Sequence, residues 1–194
     1  NFDYYRDIRV LAYPVNNKDD SLPFTVTTSS QQADNPVSNI NQGNSFWVSG
    51  GEQPGEGPTA QSPEWIEIDL DESVIVAGLR LEGRKGYGPK TCYLQFMNAD
   101  KKTKVFALKD GENTLSFDPV RDDTFRMVIE DSYDPGHPDA PRNVQVHRIG
   151  LLDRDGMNLL GSRRNPIRDL EAKSGVRELG GSAPDCRYLL NDIP

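Results

Sequence analysis

PEWIEIDL, residues 63–70, decides the fold class, because its apolar and acidic residues alternate one by one. Successive side chains of a strand point to opposite faces of its sheet, so the two isoleucines and Leu70 share one face. Trp65 shares the other face with the acids, where it is either a platform for a ligand or a wedge between two sheets. Because burial of an indole stabilises a domain by a few kcal/mol without any ligand, we favour packing over binding for Trp65 and for Trp47.

The same alternation recurs along the chain in short runs that Gly, Pro, Asn and Asp bound on either side. These runs are DIRVLAYPV (7–15), FTVTTSS (24–30), CYLQFM (92–97), KVFAL (104–108), FRMVIE (125–130) and NVQVHRIGLL (143–152), with NTLSF (113–117) as a weaker candidate. Seven or eight strands without intervening helices predict an all-β fold, a jelly-roll β-sandwich of about eight antiparallel strands.

A short helix is predicted only near the C-terminus. In NPIRDLEAKSG, Asn165 can cap the helix, Pro166 suits its first position and Gly175 can close it. The remaining tail has no periodicity and is expected to be coil, and both chain ends read as cut from a longer protein. We therefore expect three segments: an N-terminal strand and connector at 1–23, a β-sandwich at 24–153, and a C-terminal helix-and-coil connector to a neighbouring domain at 154–194.

Composition excludes several classes of partner. The 194 residues hold 22 Lys and Arg against 30 Asp and Glu, a net charge of −8, and no basic block that could neutralise phosphates. The longest apolar stretch, around SVIVAGLRL (73–81), is far shorter than the roughly 18 to 20 residues that cross a bilayer. We expect neither nucleic-acid binding nor membrane insertion. Cys92 and Cys186 are too few for a disulfide framework, and we favour two separate thiols, although their pairing stays open.

Five separated segments carry a resemblance to a known family. They are NPVSNINQGNSFWVSG (35–50), PEWIEIDLDESVIVAGLRLEGR (63–84), GPKTCYLQF (88–96), DDTFRMVIEDSY (122–133) and NVQVHRIGLL (143–152). In this order they resemble the coagulation-factor type C (F5/8 type C) or discoidin family, also called galactose-binding-like, and are similar to carbohydrate-binding module family 32. The resemblance implies an eight-stranded jelly roll whose ligand loops lie at one end.

The two chain ends carry a second, shorter resemblance. YYRDIRVLAYPV (4–15) and IRDLEAKSG (167–175) resemble segments of secreted bacterial glycoside hydrolases similar to the family 106 α-L-rhamnosidases. This resemblance implies a secreted or periplasmic parent enzyme, with the acid and base on another domain of the same polypeptide.

Candidate ligand-binding residues lie in two loops and one turn. RKGYGPK (84–90) offers Arg84, Lys85 and Tyr87 between glycines, and DSYDPGHP (131–138) adds Tyr133 and His137. Asn44, beside Gly43, is a weaker candidate. Charged donors with a flat ring suit a sugar, whereas the alternative is that these are ordinary solvated loop side chains.

The resembling family often holds a structural calcium ion between the N-terminal loop and the last strand. Gln42 and Gly43 stand here where the family has an Asp-Gly pair, and His147 or Arg148 replaces its late glutamate. Ca²⁺ needs six to eight oxygen ligands, preferably anionic. We therefore expect no metal at this position, although backbone carbonyls could still bind one, and DRDG (153–156) predicts only a turn.

Catalysis within this chain is not expected. Two histidines are too few for a metal centre, and no G-x-S-x-G nucleophile elbow is present. The preferred function is non-catalytic binding of carbohydrate, with no cofactor. The alternative is a structural β-sandwich insert that braces a catalytic domain and binds nothing small. Recognition of protein or lipid would need apolar loop tips, which residues 84–90 and 131–142 do not supply.

Overall fold

The computed structural model describes residues 10–14, 24–160, 177–178 and 186–190. The chain divides into two units, one of Asn1–Ser21 with Ser162–Pro194 and one of Leu22–Gly161. Its strands, in chain order, are β1 (Val10–Pro14), β2 (Phe24–Thr28), β3 (Trp47–Val48), β4 (Glu64–Gly83), β5 (Pro89–Phe96), β6 (Lys101–Lys102), β7 (Phe106–Ala107), β8 (Glu112–Ser132), β9 (Gln145–Leu152), β10 (Arg177–Glu178) and β11 (Cys186–Leu190). A 3-10 helix spans Val37–Asn39. Among the described residues no helix has the length and hydropathy that a membrane span requires.

The smaller unit contains a three-stranded antiparallel sheet in the order β1-β11-β10. The strand predicted at 7–15 is present as β1. The two strands of the C-terminal segment replace part of the coil predicted there. CRYLL (186–190) is too short to identify as a strand by itself, and its partner β1 lies at the other end of the sequence. The helix predicted at 165–175 lies outside the described residues.

The larger unit is an antiparallel β-sandwich of eight strands. Its sheet order is β3-β9-β4-β8-β5-β6, with β2 paired to β4 and β7 paired to β5. The antiparallel pair of β4 and β8 forms the centre, in register from Glu64↔Ile129 to Glu82↔Glu112. The register shifts between Asp69 and Val74, so the two halves of β4 have different outer neighbours, β2 for the first half and β9 for the second.

One hydrophobic cluster joins the two halves of β4. Ile66 and Ile68 from its first half and Leu79 and Leu81 from its second half are all buried in the same cluster. A strand whose two halves bury side chains against each other has turned a corner, and bulges permit such a turn. The predicted jelly-roll β-sandwich of about eight antiparallel strands is confirmed.

The two tryptophans have different roles. Trp47 is fully buried in the cluster, and its Nε1 donates a hydrogen bond to the carbonyl of Ser30 at 3.0 Å. Trp65 is half-buried on the opposite face of β4, and its ring centroid lies 4.3 Å from the guanidinium carbon of Arg126. The wedge role is confirmed for Trp47 and wrong for Trp65, because an alternation that buries Ile66 turns Trp65 outward.

The predicted strands of the sandwich are present, but several differ in length from the prediction. NTLSF and FRMVIE belong to one strand of 21 residues, β8, and WIEIDL is the first part of the 20-residue β4. In KVFAL only Phe106–Ala107 forms a strand. β4 stays extended through the corner, although its pairing with β8 is interrupted between Asp69 and Val74. Periodicity does not show that the two runs form one strand. Cys92, in β5, is a buried free thiol, and burial raises its pKa to about 12.

Candidate functional site

Four irregular segments meet at one end of the sandwich, which we call the loop pole. They are residues 41–46, 84–88, 108–111 and 133–144. Strand pairing brings three of them together, because Val146 of β9 is in register with both Trp47 of β3 and Gly83 of β4. Residues that flank these three positions are therefore neighbours in space, although they are far apart in sequence.

The loop of residues 84–88 is held rigidly against β9. Arg84 N donates to the carbonyl of Gln145 at 3.2 Å, and Gln145 N donates to the carbonyl of Tyr87 at 2.8 Å. A Cβ on Gly83 would lie 2.6 Å from the Cα of Gly88, so the loop can close this tightly only with glycine at both ends. The side chains on this loop are thus presented from a fixed backbone.

Arg84 is held between two aromatic rings. Its guanidinium carbon lies 4.6 Å from the centroid of the Phe46 ring and 5.5 Å from that of Tyr87. One terminal nitrogen donates to Gln145 Oε1 at 3.0 Å, the single hydrogen bond that the described residues supply to this side chain. Cation–π contacts hold a guanidinium without using its N–H groups. Arg84 therefore keeps donors for a ligand.

A half-open concavity of about 390 Å³ lies beside Arg84. Asn44 and Lys85, two more of the predicted residues, line it together with Arg84. Within the described residues neither of these two side chains has a hydrogen-bond or ion-pair partner. Three predicted donors therefore converge on one cavity.

The other three predicted residues do not line this concavity. The ring of Tyr87 contacts the guanidinium group of Arg84, which does line the concavity. The hydroxyl of Tyr133 donates to the carbonyl of Leu108 at 2.8 Å and so ties two loops together. His137 is half-exposed, and its Nδ1 lies 3.7 Å from Asp134 Oδ2. The structure thus separates Tyr133 and His137 from the concavity.

Asp134 organises the long loop that carries His137. Its side chain is 1% exposed, accepts a hydrogen bond from Arg142 Nε at 2.9 Å and another from Gly136 N at 3.1 Å. Hydrogen bonds from Arg142 lower its pKa to about 2, against the opposing effect of burial. This carboxylate is a structural centre of the loop.

Four lining residues were not among the sequence candidates: Phe46, Glu82, Glu112 and His147. Phe46 could not have been found by alternation, because it precedes β3 and both residues of β3 are buried. The others could not be found either, because only the pairing of β4 with β8 and β9 shows that they share this cavity.

His147 presents a defined tautomer to the concavity. Its Nδ1 is in hydrogen-bond contact with the carbonyl of Ser45. A carbonyl can only accept, so Nδ1 carries the proton. In the neutral ring Nε2 is then an acceptor, and within the described residues it has no partner. Glu82 and Glu112 supply further acceptors, although each also pairs with an arginine, Arg148 and Arg80 respectively.

Two side chains, the Arg148 guanidinium and the His147 ring, donate to the loop where the family's calcium ion would lie. Arg148 donates to the carbonyl of Gly43 at 3.4 Å, and His147 donates to that of Ser45. A bound Ca²⁺ would have to displace a positively charged guanidinium, so the residues present do not fit the ion. Among the described residues no three His, Cys, Asp or Glu side chains cluster as metal ligands would.

Comparison with known proteins identifies related domains. A family model described as the F5/8 type C domain matches residues 25–139. No curated protein sequence matches the chain.

Solved structures with a similar fold include family 32 carbohydrate-binding modules from Clostridium perfringens. The module of NanJ, determined with galactose, is 14% identical over 66% of this chain and 92% of its own, with a TM-score of 0.52. The CBM32-5 module of CpGH89, determined with GalNAc-β-1,3-galactose, is 14% identical over 66% and 94%, with a TM-score of 0.51. The CBM32-1 and CBM32-2 modules of ZmpB are 10% identical over 74% and 40%, with a TM-score of 0.55. At this identity the likeness shows the fold alone.

Proposed function

Since the chain belongs to the F5/8 type C domain family, we propose that it is a non-catalytic carbohydrate-binding domain that binds sugar at the loop pole. The observation that carries the proposal is the convergence of Asn44, Arg84 and Lys85 on one half-open concavity. These three side chains have N–H donors without acceptors among the described residues, which does not suit a surface that packs against apolar protein. Sugar hydroxyls would supply the acceptors.

The chemistry of the lining suits a neutral sugar with several hydroxyls. Arg84 and Asn44 would donate to hydroxyl oxygens, while Glu82 and Nε2 of His147 would accept from hydroxyl hydrogens. Phe46 and Tyr87 fix the guanidinium before the ligand arrives, which reduces the entropy lost on binding. A shallow cavity with few contacts implies weak affinity, with a Kd on the order of 1 mM, or about −4 kcal/mol.

We place the domain in a secreted or periplasmic glycoside hydrolase that degrades polysaccharide. The resemblance of residues 4–15 and 167–175 to family 106 α-L-rhamnosidases supports this parent enzyme. The catalytic acid and base would lie on an adjacent domain of the same polypeptide, which this domain would keep close to its substrate. Binding a polymer at a second point raises the local concentration of substrate at the catalytic site.

A glycan array followed by calorimetric titration tests the binding site. We expect the wild-type chain to bind a galactose-containing or related neutral glycan, and Arg84→Ala to weaken that binding by about tenfold or more. Arg154→Ala is the matched control, because Arg154 is an exposed arginine in the turn after β9 and does not line the concavity.

Two outcomes would overturn the proposal. One is an array on which the folded chain binds no glycan. The other is equal affinity of the wild-type chain and the Arg84→Ala variant for the glycan that is bound, because this would place the site elsewhere.

A further inference from the structure

A second concavity lies at the other end of β5. It has a volume of about 620 Å³ and is lined by Phe96, residues 101–104 and residues 116–120. We call it the lysine groove, because Lys101, Lys102 and Lys104 lie along one side of it. Lys101 is in register with Phe96, the last residue of β5, whereas the loop of residues 84–88 precedes the first. Seven residue steps separate these two ends, a distance of roughly 23 Å along the strand.

The charge of the groove contrasts with that of the whole chain. Three lysines within four residues lie in a protein whose net charge is −8, and all three are exposed. Among the described residues no carboxylate lies within ion-pair distance of their Nζ atoms. Asp118 is the single acid in the lining. The groove thus keeps an excess of two positive charges that the described residues do not neutralise by contact.

Two of the lysines are held over aromatic rings. Lys102 Nζ lies 5.7 Å from the centroid of Tyr93, and Lys104 Nζ lies 5.7 Å from that of Phe106. A ring holds an ammonium group through its quadrupole and leaves the N–H donors available. Both lysines therefore keep their N–H donors for an anion, and the two rings lie outside the residues that line the groove.

The opposite side of the groove comes from β8 and is less polar. Phe117 is half-buried, packs edge-on against Phe96 with ring centroids 5.7 Å apart, and lines the groove beside Pro119 and Val120. Ser116 adds a hydroxyl. A groove lined by a ring and a proline together with three lysines matches a saccharide, which has apolar C–H faces and polar edges. A small inorganic anion would use the lysines and leave the apolar side without a function.

We propose that the lysine groove is a second saccharide-binding site, specific for sugars that bear carboxylate or sulfate groups. The ammonium groups of Lys101, Lys102 and Lys104 would bind the anionic substituents, and Phe117 would contact a sugar ring. The site is separate from the concavity at the loop pole and does not depend on it. With two sites at opposite ends, one domain could bind two points of a polysaccharide, or two chains.

Titration of the full chain with three matched oligosaccharides tests the proposal. The probes are an oligogalacturonate, its methyl ester, and a sulfated galactan oligosaccharide. We expect one or both anionic probes to bind, more weakly as ionic strength rises, and the uncharged ester to bind at least about tenfold more weakly. Comparison of the two anionic probes shows whether the groove takes carboxylate or sulfate. Amide shifts in an NMR spectrum should fall within residues 101–104 and 116–120.

Charge reversal locates the site. Lys102→Glu with Lys104→Glu should weaken binding of the anionic probe by about tenfold or more. Lys109→Glu, an exposed lysine outside the groove, should leave binding unchanged. A galactan can also bind at the loop pole, so binding to the groove is read from the amide shifts of residues 101–104 and 116–120. Arg84→Ala should leave these shifts unchanged, so a failure here is distinct from a failure of the loop-pole site.

Three results would overturn the proposal. They are equal binding of the ester and the acid, unchanged affinity in the folded double variant, and amide shifts confined to the loop pole. Inorganic phosphate that shifts the same amides at equal concentration would also overturn it, because the groove would then recognise a small anion only.

Discussion

The guanidinium group of Arg84 stacks on the ring of Phe46, with 4.6 Å between the guanidinium carbon and the ring centroid. The two side chains come from different loops. The loop with Phe46 precedes β3, the loop with Arg84 follows β4, and both strands pair with β9. The Phe46 ring therefore holds the guanidinium group of Arg84 in a fixed position.

Replacing Phe46 by leucine should therefore reduce sugar binding without unfolding the domain. Leucine keeps apolar contact but lacks the ring quadrupole that orients the guanidinium. We expect the Kd for the neutral glycan to rise about three- to tenfold in calorimetric titration. Phe117→Leu is the matched control, because Phe117 lines the lysine groove and should not affect this ligand. Equal Kd values for Phe46→Leu and the wild-type chain would contradict the role of Phe46.

The two tryptophans should differ in their contribution to stability. Trp47→Phe leaves a cavity and removes the hydrogen bond to the Ser30 carbonyl, so the free energy of unfolding should fall by about 2 to 3 kcal/mol. Trp65→Phe keeps a ring beneath Arg126 on the half-buried outer face, and should cost less than about 1 kcal/mol. Urea denaturation followed by circular dichroism measures both. A larger loss for Trp65→Phe would show that the assignment of core and outer face is wrong.

Stability should decrease in acid partly through Asp134. Its pKa in the folded protein, about 2, is below the ordinary value of 3.8, because Arg142 donates to the carboxylate. A lowered pKa means that the carboxylate stabilises the fold fully above about pH 4, and that this contribution is lost as the pH falls towards 2. Asp134→Asn should thus be less stable than the wild-type chain at pH 7, and the difference should narrow between pH 4 and pH 2.

Melting temperatures of both proteins across this pH range provide the test. Asp155→Asn serves as the control, since Asp155 is an exposed acid in a turn. A difference between wild type and Asp134→Asn that stayed constant from pH 7 to pH 2 would contradict a role for the charge.

We propose that no structural calcium ion is needed for folding. Arg148 and His147 already donate to carbonyls of the loop that would bind it. The melting temperature should be the same after dialysis against EDTA and after addition of calcium. A clear rise in melting temperature at micromolar calcium would show that the ion displaces these side chains and would refute the prediction.

Alternation in the sequence determined the all-β class and located the longer strands of the sandwich, but not the short strands β3, β6, β10 and β11. It could do so because the side chains of a strand point alternately to its two sides whatever the partner strand is. By alternation Glu64 shares the face of Ile66, and in the structure it is buried there, 5% exposed. Loop position in turn was enough to select Asn44, Arg84 and Lys85.

Only the tertiary structure decided which of these side chains act together. Glu64 tolerates burial because the Ser30 hydroxyl and Gly51 N donate to its carboxylate, and both come from a remote segment. Arg84, Phe46 and His147 meet because their chain neighbours Gly83, Trp47 and Val146 are paired in the sheet. Tyr133 and His137 belong to another loop, where they contact Leu108 and Asp134. Strand partners and register depend on contacts between distant parts of the chain, so local periodicity contains no record of them.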